Sequence, residues 1–141
     1  MCACTRSAAD HEELGDRAYT AGDYRSALAE YQLGIKAHPG SASLDAKLGA
    51  AALRTEDYAA AADAYRALAR DDRSRVDEAA DALERVVRAA FLGLGDVRLA
   101  QGDIAGALES YQQALVGGTP GDTIAQRAQE KINSLGKAEP E

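Results

Sequence analysis

The sequence predicts an all-α fold of stacked helix pairs, and three observations carry that expectation. Leu14-Gly15, Asp23-Tyr24, Ala27 and Tyr31 recur as Leu48-Gly49, Asp57-Tyr58, Ala61 and Tyr65, each displaced by 34 residues. The same frame returns as Leu94-Gly95, Asp103-Ile104, Ala107 and Tyr111, now displaced by 46. Self-similarity at a fixed period marks a repeat architecture, in which each unit buries its apolar face only against its neighbours. Composition agrees: 46% of residues are hydrophobic but only 5% are aromatic, with no Trp and a single Phe. Alanine supplies nearly half of that apolar fraction, which suits closely packed helices better than a sheet. Finally, the three prolines, at 39, 120 and 140, all fall outside the periodic stretches. At 141 residues the chain is one domain, long enough to bury a core.

Each element follows from caps and periodicity. The first helix starts at Ser7, where Asp10 three residues on makes a loose capping-box pattern, and ends at Ala21-Gly22, with Gly in the left-handed position. Asp23 caps the second helix, which runs to Ala37 and stops before Pro39. Ser41 or Ser43 opens the third, which ends near Thr55; Glu56 stands there in place of Gly, so that turn is expected to be more strained or differently shaped. Asp57 caps the fourth, which reaches about Arg70 before Asp71-Asp72-Arg73 breaks it. Ser74 with Asp77 offers the next cap, opening one long helix to Gln101. Its apolar face is read as Val76, Ala80, Leu83, Val87, Ala90 or Phe91, Leu94 and Val97. Residues 76–87 are an added segment of roughly three turns, which accounts for the longer displacement of the third frame. Gly102-Asp103 repeats the turn, and a sixth helix runs to about Val116. After the loop Gly117-Gly118-Thr119-Pro120-Gly121, Asp122 caps a last helix to Leu135, apolar along Ile124, Ala128, Ile132 and Leu135 and polar elsewhere.

A helix–turn–helix unit of 34 residues with this pattern resembles the tetratricopeptide repeat. The resemblance implies a right-handed α-solenoid of three repeats, 8–41, 42–75 and 76–121, the third with an extended first helix and about twelve extra residues. A capping helix, 122–135, completes a domain spanning 7–135, between a flexible N-terminal stretch 1–6 and a flexible tail 136–141. The chain departs from the family pattern at Glu56, at the missing Pro that should close the second repeat, and at Leu68, where a small residue is usual. Small residues such as Gly15, Ala27 and Gly34 are expected where the helices of one unit cross. Tyr31, Tyr65 and Tyr111 are expected to fill the space between consecutive units.

By the same resemblance the first helices of the repeats line a concave groove. It would display Glu12, Asp16 and Tyr19, then Lys47, Ala50 and Arg54, then Leu92, Asp96 and Leu99. That gives an acidic end, a basic middle and an apolar end, suited to a protein or peptide partner. Relatives that grip acidic chaperone C-termini use a clamp of Lys, Asn and Arg. The matching positions here are Glu12, Asp16, Lys47, Ala89 and Gly93, one base against two acids, so that role is disfavoured.

Catalysis has no signature in this sequence. His11 and His38 have no ligand-spaced neighbours, and the glycine-rich loop lacks the Lys and preceding strand of a phosphate loop. No cofactor or metal is implied, and a formal charge of −7 disfavours nucleic acid. The abundance of Ala, and of Arg over Lys, is the bias of a GC-rich bacterial genome. Ala3-Cys4, followed by a polar stretch, resembles a bacterial lipoprotein junction, although Cys2 fits it poorly. If the true start lies upstream of Met1, Cys4 (or Cys2) would carry a lipid anchor and the protein would be tethered in the envelope; otherwise it is cytoplasmic. The function expected is a non-catalytic interaction module of a bacterial multiprotein assembly. The alternative is a self-associating structural subunit, a homodimer formed through segment 76–87.

Overall fold

A computed structural model describes residues 5–137; Cys2, Cys4 and the last four residues of the tail lie outside the described residues. The described residues form seven α-helices and no strand: α1 (Ala8–Thr20), α2 (Tyr24–Ala37), α3 (Ala42–Arg54), α4 (Tyr58–Asp71), α5 (Val76–Ala100), α6 (Ile104–Leu115) and α7 (Thr123–Lys137). A 3-10 turn, Arg73–Arg75, precedes α5. The chain divides into two compact units, 1–83 and 84–141, with the boundary inside α5.

The helix starts are those written in the sequence. Ser7 and Asp10 form a complete capping box, each satisfying a backbone N–H of the other. Asp23, Asp57 and Asp103 repeat one device, each accepting from the backbone N–H three residues on, at 3.1, 3.0 and 2.9 Å. Of the two serines proposed for α3, Ser41 is the cap, accepting from Leu44 N, while Ser43 Oγ donates to Glu12. Gly22 and Gly102 take φ of +80° and +81° in the turns; Glu56, at the equivalent place, is held at +61°, a conformation L-residues avoid.

Two boundaries differ from the sequence reading. Ser74 does not cap the long helix: Asp72 accepts from both its backbone N–H and its hydroxyl, winding residues 73–75 into the 3-10 turn. The last helix continues through Gly136 and Lys137, so the tail begins later than residue 136.

In the first unit α1 packs on α2, α2 on α3 and α3 on α4. Its core holds Ala27, Tyr31, Leu44 and Ala51. Leu68, though larger than the family pattern prefers, is fully buried. The core of the second unit is Leu92, Ala107, Tyr111, Ala114 and Ala128, flanked by Ile124, Ile132 and Leu135 of α7. The capping helix thus buries the apolar line assigned to it.

The tyrosines pack within their own repeats, and Tyr31 also shares a core with Leu44 and Ala51 of the next repeat. A Cβ on Gly49 would stand 2.7 Å from Tyr65, and one on Gly15 or Gly95 would stand closer still to Tyr31 or Tyr111. Each ring lies flat against the glycine of its partner helix, and only a missing side chain allows that approach.

Helix α5 corrects a second expectation. Its sequence stripe does not form the core: Val76, Val87, Leu94 and Val97 are exposed, while Ala79, Ala82, Val86 and Leu92 are buried. Gly95 explains the choice over the second half of the helix. Turning Gly95 onto the Tyr111 ring rotates Leu94 away by about 100°.

Candidate functional site

The residues assigned to the groove fall into two sets, one in each unit. In the first, Lys47 of α3 reaches across to α1 and donates to Asp16 Oδ2 at 2.7 Å, with Glu12 Oε1 at 2.8 Å. Asp16 also accepts from the Tyr31 hydroxyl at 2.8 Å, and Glu12 from Ser43 at 2.8 Å. Burial works to raise the pKa of Asp16, but the hydrogen bonds from Lys47 and Tyr31 outweigh it and hold the carboxyl below its usual range. Glu12 is held low chiefly by the Lys47 and Ser43 hydrogen bonds. Burial and then the Asp16 carboxylate push the Tyr31 phenol well up.

The second unit repeats the arrangement. Tyr111 donates to Asp96 at 2.8 Å, and Lys131 of α7 takes the place of Lys47, also at 2.8 Å. Burial, followed by the Asp96 hydrogen bond, raises the Tyr111 phenol to about 12. In each case a Gly-Asp pair on one helix receives a tyrosine on its glycine and that tyrosine's hydroxyl on its aspartate. The second repeat has Ala50 where this aspartate would stand, and Ala50 is half-buried.

This geometry changes the electrostatics expected from the sequence. Lys47 is not a free basic centre, because two carboxylates already neutralise it. Leu92 is only 4% exposed in the core of the second unit, and Leu99 packs against the same core, so neither supplies an open apolar surface.

Arg54 and Tyr19 differ. The Arg54 guanidinium lies 5.2 Å from the centre of the Tyr24 ring, and Tyr24 meets Tyr19 edge to face at 5.0 Å. Beside them a shallow hollow of about 380 Å³ is lined by Tyr24, Arg25, Arg54 and Glu56 among others. The sequence marks Tyr24 only as part of the repeated Asp23-Tyr24 frame, not as a groove residue, and carries no signal for Arg25.

Another residue missed from the sequence is Arg88. It is 5% exposed, donates through Nε to the Ala114 carbonyl at 3.0 Å and through Nη1 to Asp122, the cap of α7. It therefore ties α5 to the end of α6 and the start of α7. Among the described residues no cluster of His, Cys, Asp and Glu is arranged to hold a metal ion. Nor is any of their helices long and apolar enough to cross a membrane.

Comparison with solved structures finds the first tetratricopeptide domain of Spaghetti, solved with an HSP90 peptide of sequence SRMEEVD. It is 21% identical over 93% of this chain and 91% of that one, with a TM-score of 0.46. The Arabidopsis OM64 tetratricopeptide domain is 20% identical over 90% and 94%, with a TM-score of 0.47. The N-terminal domain of stress-induced protein-1 from C. elegans is 17% identical over 92% and 94%, with a TM-score of 0.44. No curated protein sequence matches the chain. A sequence model of the tetratricopeptide repeat matches residues 12–75 and 67–123, which span most of the chain but do not reach Cys2 or Cys4. With the 34-residue frame and the glycine–tyrosine crossings beside that match, the chain belongs to the tetratricopeptide-repeat family.

Proposed function

We propose that the protein is a non-catalytic interaction module that binds a segment of a partner protein on the α1 and α3 face of its first unit. The observation that carries this reading is the Arg54–Tyr24–Tyr19 cluster. A cation stacked on an aromatic pair is preorganised, and it keeps its donors available beside an open hollow. Arg25 lines the same hollow together with Asp23 and Glu56, so its charges are balanced, and the group that Arg54 would receive is a single carboxylate of the partner and not an acidic run. Asp16, Lys47 and Asp96 contribute less, because their charges are spent on one another and on the tyrosines. The Ala- and Arg-rich composition supports a bacterial assembly as the setting, and the lipoprotein-like Ala3-Cys4 supports an envelope tether.

A photoreactive residue at position 54 or 50, expressed in the native cell, tests the site. Crosslinks to one partner from those positions, absent from the α2 position Leu33, are expected. The isolated partner should then bind Arg54→Glu at least tenfold more weakly than the parent, with unchanged melting. Crosslinks only from position 33 would overturn the reading.

A second reading rests on a separate observation. Val76, Ala80, Leu83, Val87, Ala90, Leu94 and Val97 follow alternating spacings of four and three along α5, and four of them are exposed by 39% or more. That is the seam by which one helix pairs with a like helix, and it points to a second copy of this chain. Light scattering of the parent against Leu83→Glu with Val87→Glu tests it: a dimer that becomes a folded monomer supports the seam. A parent that is already monomeric at high concentration removes it.

A further inference from the structure

Glu56 stands where this fold elsewhere has a glycine. The turns after α1 and α5 hold Gly22 and Gly102 at φ of +80° and +81°, and Glu56 takes the same place after α3 at +61°. An L-residue is strained there, because its Cβ crowds the following carbonyl. Packing does not account for the side chain. At the two equivalent places a Cβ would meet no atom within 4 Å, so a side chain in this turn points outward, and Glu56 is exposed. Among the described residues its carboxylate has no hydrogen bond and no ion pair. Helix capping does not require it either, since Asp57 already accepts from Ala60 N at 3.0 Å at the start of α4.

What Glu56 does meet is the hollow beside Arg54, which it lines together with Asp23 and Arg25. Asp23 is engaged as the cap of α2: its Oδ1 accepts from Ser26 N at 3.1 Å and its Oδ2 from Ser26 Oγ at 2.6 Å. Glu56 is therefore the acid of the hollow whose carboxylate is uncommitted. It follows closely in the chain on Arg54, whose guanidinium rests on the Tyr24 ring.

We propose that Glu56 is a specificity-determining residue of this hollow, receiving a Lys or Arg side chain of the partner beside the carboxylate that Arg54 receives. The segment recognised then carries an acid and a base two positions apart, where an extended chain presents both on one side. This rests on the reading of Arg54 as the partner's anchor. Strained residues persist where function holds them, and here the strain sets a carboxylate on the wall of a hollow that otherwise offers guanidinium groups. A second acid of the partner would be repelled by Glu56, whereas a base at that point gains an exposed ion pair. The discrimination is electrostatic, so it weakens as salt rises.

The test uses the full chain and two synthetic peptides of equal length in a Gly-Ser background, one containing Asp-Gly-Lys and the other Asp-Gly-Asp. Binding is followed by NMR at the Arg54 Nε–H and the Glu56 amide. The Asp-Gly-Lys peptide should bind about two- to fivefold more tightly than the other. Glu56→Gly should abolish that preference while raising the melting midpoint, and Glu56→Lys should invert it. A residue that served only the fold would not lose selectivity as stability rose. A parent that binds both peptides alike, or neither at millimolar concentration, would overturn the proposal, as would a Glu56→Gly chain that keeps the parent's preference. Arg54→Glu separates the two readings. If it leaves binding of the Asp-Gly-Lys peptide unchanged, the anchor itself is misplaced; if it weakens binding while Glu56→Gly keeps the preference, only the role of Glu56 falls.

Discussion

The glycine–tyrosine crossing makes a quantitative prediction. In Gly15→Ala the new methyl would overlap the Tyr31 ring, which is 2% exposed and anchored by its hydroxyl to Asp16. Neither partner has room to yield, since the ring's far end is pinned and its face lies on α1. Overpacking of this kind costs about 1–3 kcal/mol. Alanine also gains about 1 kcal/mol over glycine as a helix former, so the net loss should be roughly 0–2 kcal/mol. A double-mutant cycle separates the two effects. Tyr31→Leu removes the ring, and in that background Gly15→Ala should stabilise the protein through its helix propensity alone. The coupling, read from urea unfolding followed by circular dichroism, should be about 1–3 kcal/mol. Gly136, in α7 with nothing within 4 Å of its Cβ direction, provides the control: Gly136→Ala should be neutral or stabilising. If Gly15→Ala and Tyr31→Leu were additive to within about 0.5 kcal/mol, the close approach would not be a determinant of the helix crossing.

Other substitutions test the remaining framework. Arg88→Met should cost about 1–3 kcal/mol, because the Ala114 carbonyl loses its donor and the half-buried Asp122 keeps only the α7 amides; proteolysis should then cut first within residues 116–122. Glu56→Gly should stabilise by up to about 1 kcal/mol by relieving the left-handed backbone, visible as a raised melting midpoint. Tyr111→Phe should cost about 0.5–1.5 kcal/mol through the lost Asp96 hydrogen bond. In the parent the Tyr111 phenol should ionise near pH 12, so its contribution is complete below pH 10 and lost as pH rises towards 12; ultraviolet titration against Tyr111→Phe reads this.

Much of the fold was legible because its determinants are local. A capping Asp acts on an amide three residues away, and a glycine in a turn acts on its own φ, so repeated letters report repeated structure. What the sequence hid is long-range or degenerate. In an alanine-rich helix such as α5, more than one line of residues is apolar enough to be buried, and periodicity alone cannot choose between them. In its second half the choice is made by Gly95 and a ring sixteen positions later. The hydrogen bonds from Tyr31 to Asp16 and from Arg88 to Asp122 likewise join residues with no sequence relation that chemistry alone could reveal.

The site shows the consequence of that difference for function. Position within the repeat correctly placed Glu12, Asp16, Lys47 and Asp96 on the first helices, and it treated their charges as free. Their hydrogen bonds say otherwise: the acids secure the tyrosines or neighbouring helices, and Lys47 answers two of them at once. A charge already matched within the protein adds little to a partner's binding, because the partner must displace the internal ion before it gains its own. Substituting Lys47 or Asp16 would therefore disturb the packing of α1, α2 and α3 and would weaken binding only through that disturbance. Arg54 carries no such obligation, since it is exposed and rests only on the Tyr24 ring. On the proposed function, recognition and architecture divide within one helix, α3, between Arg54 at its last turn and Lys47 near its middle.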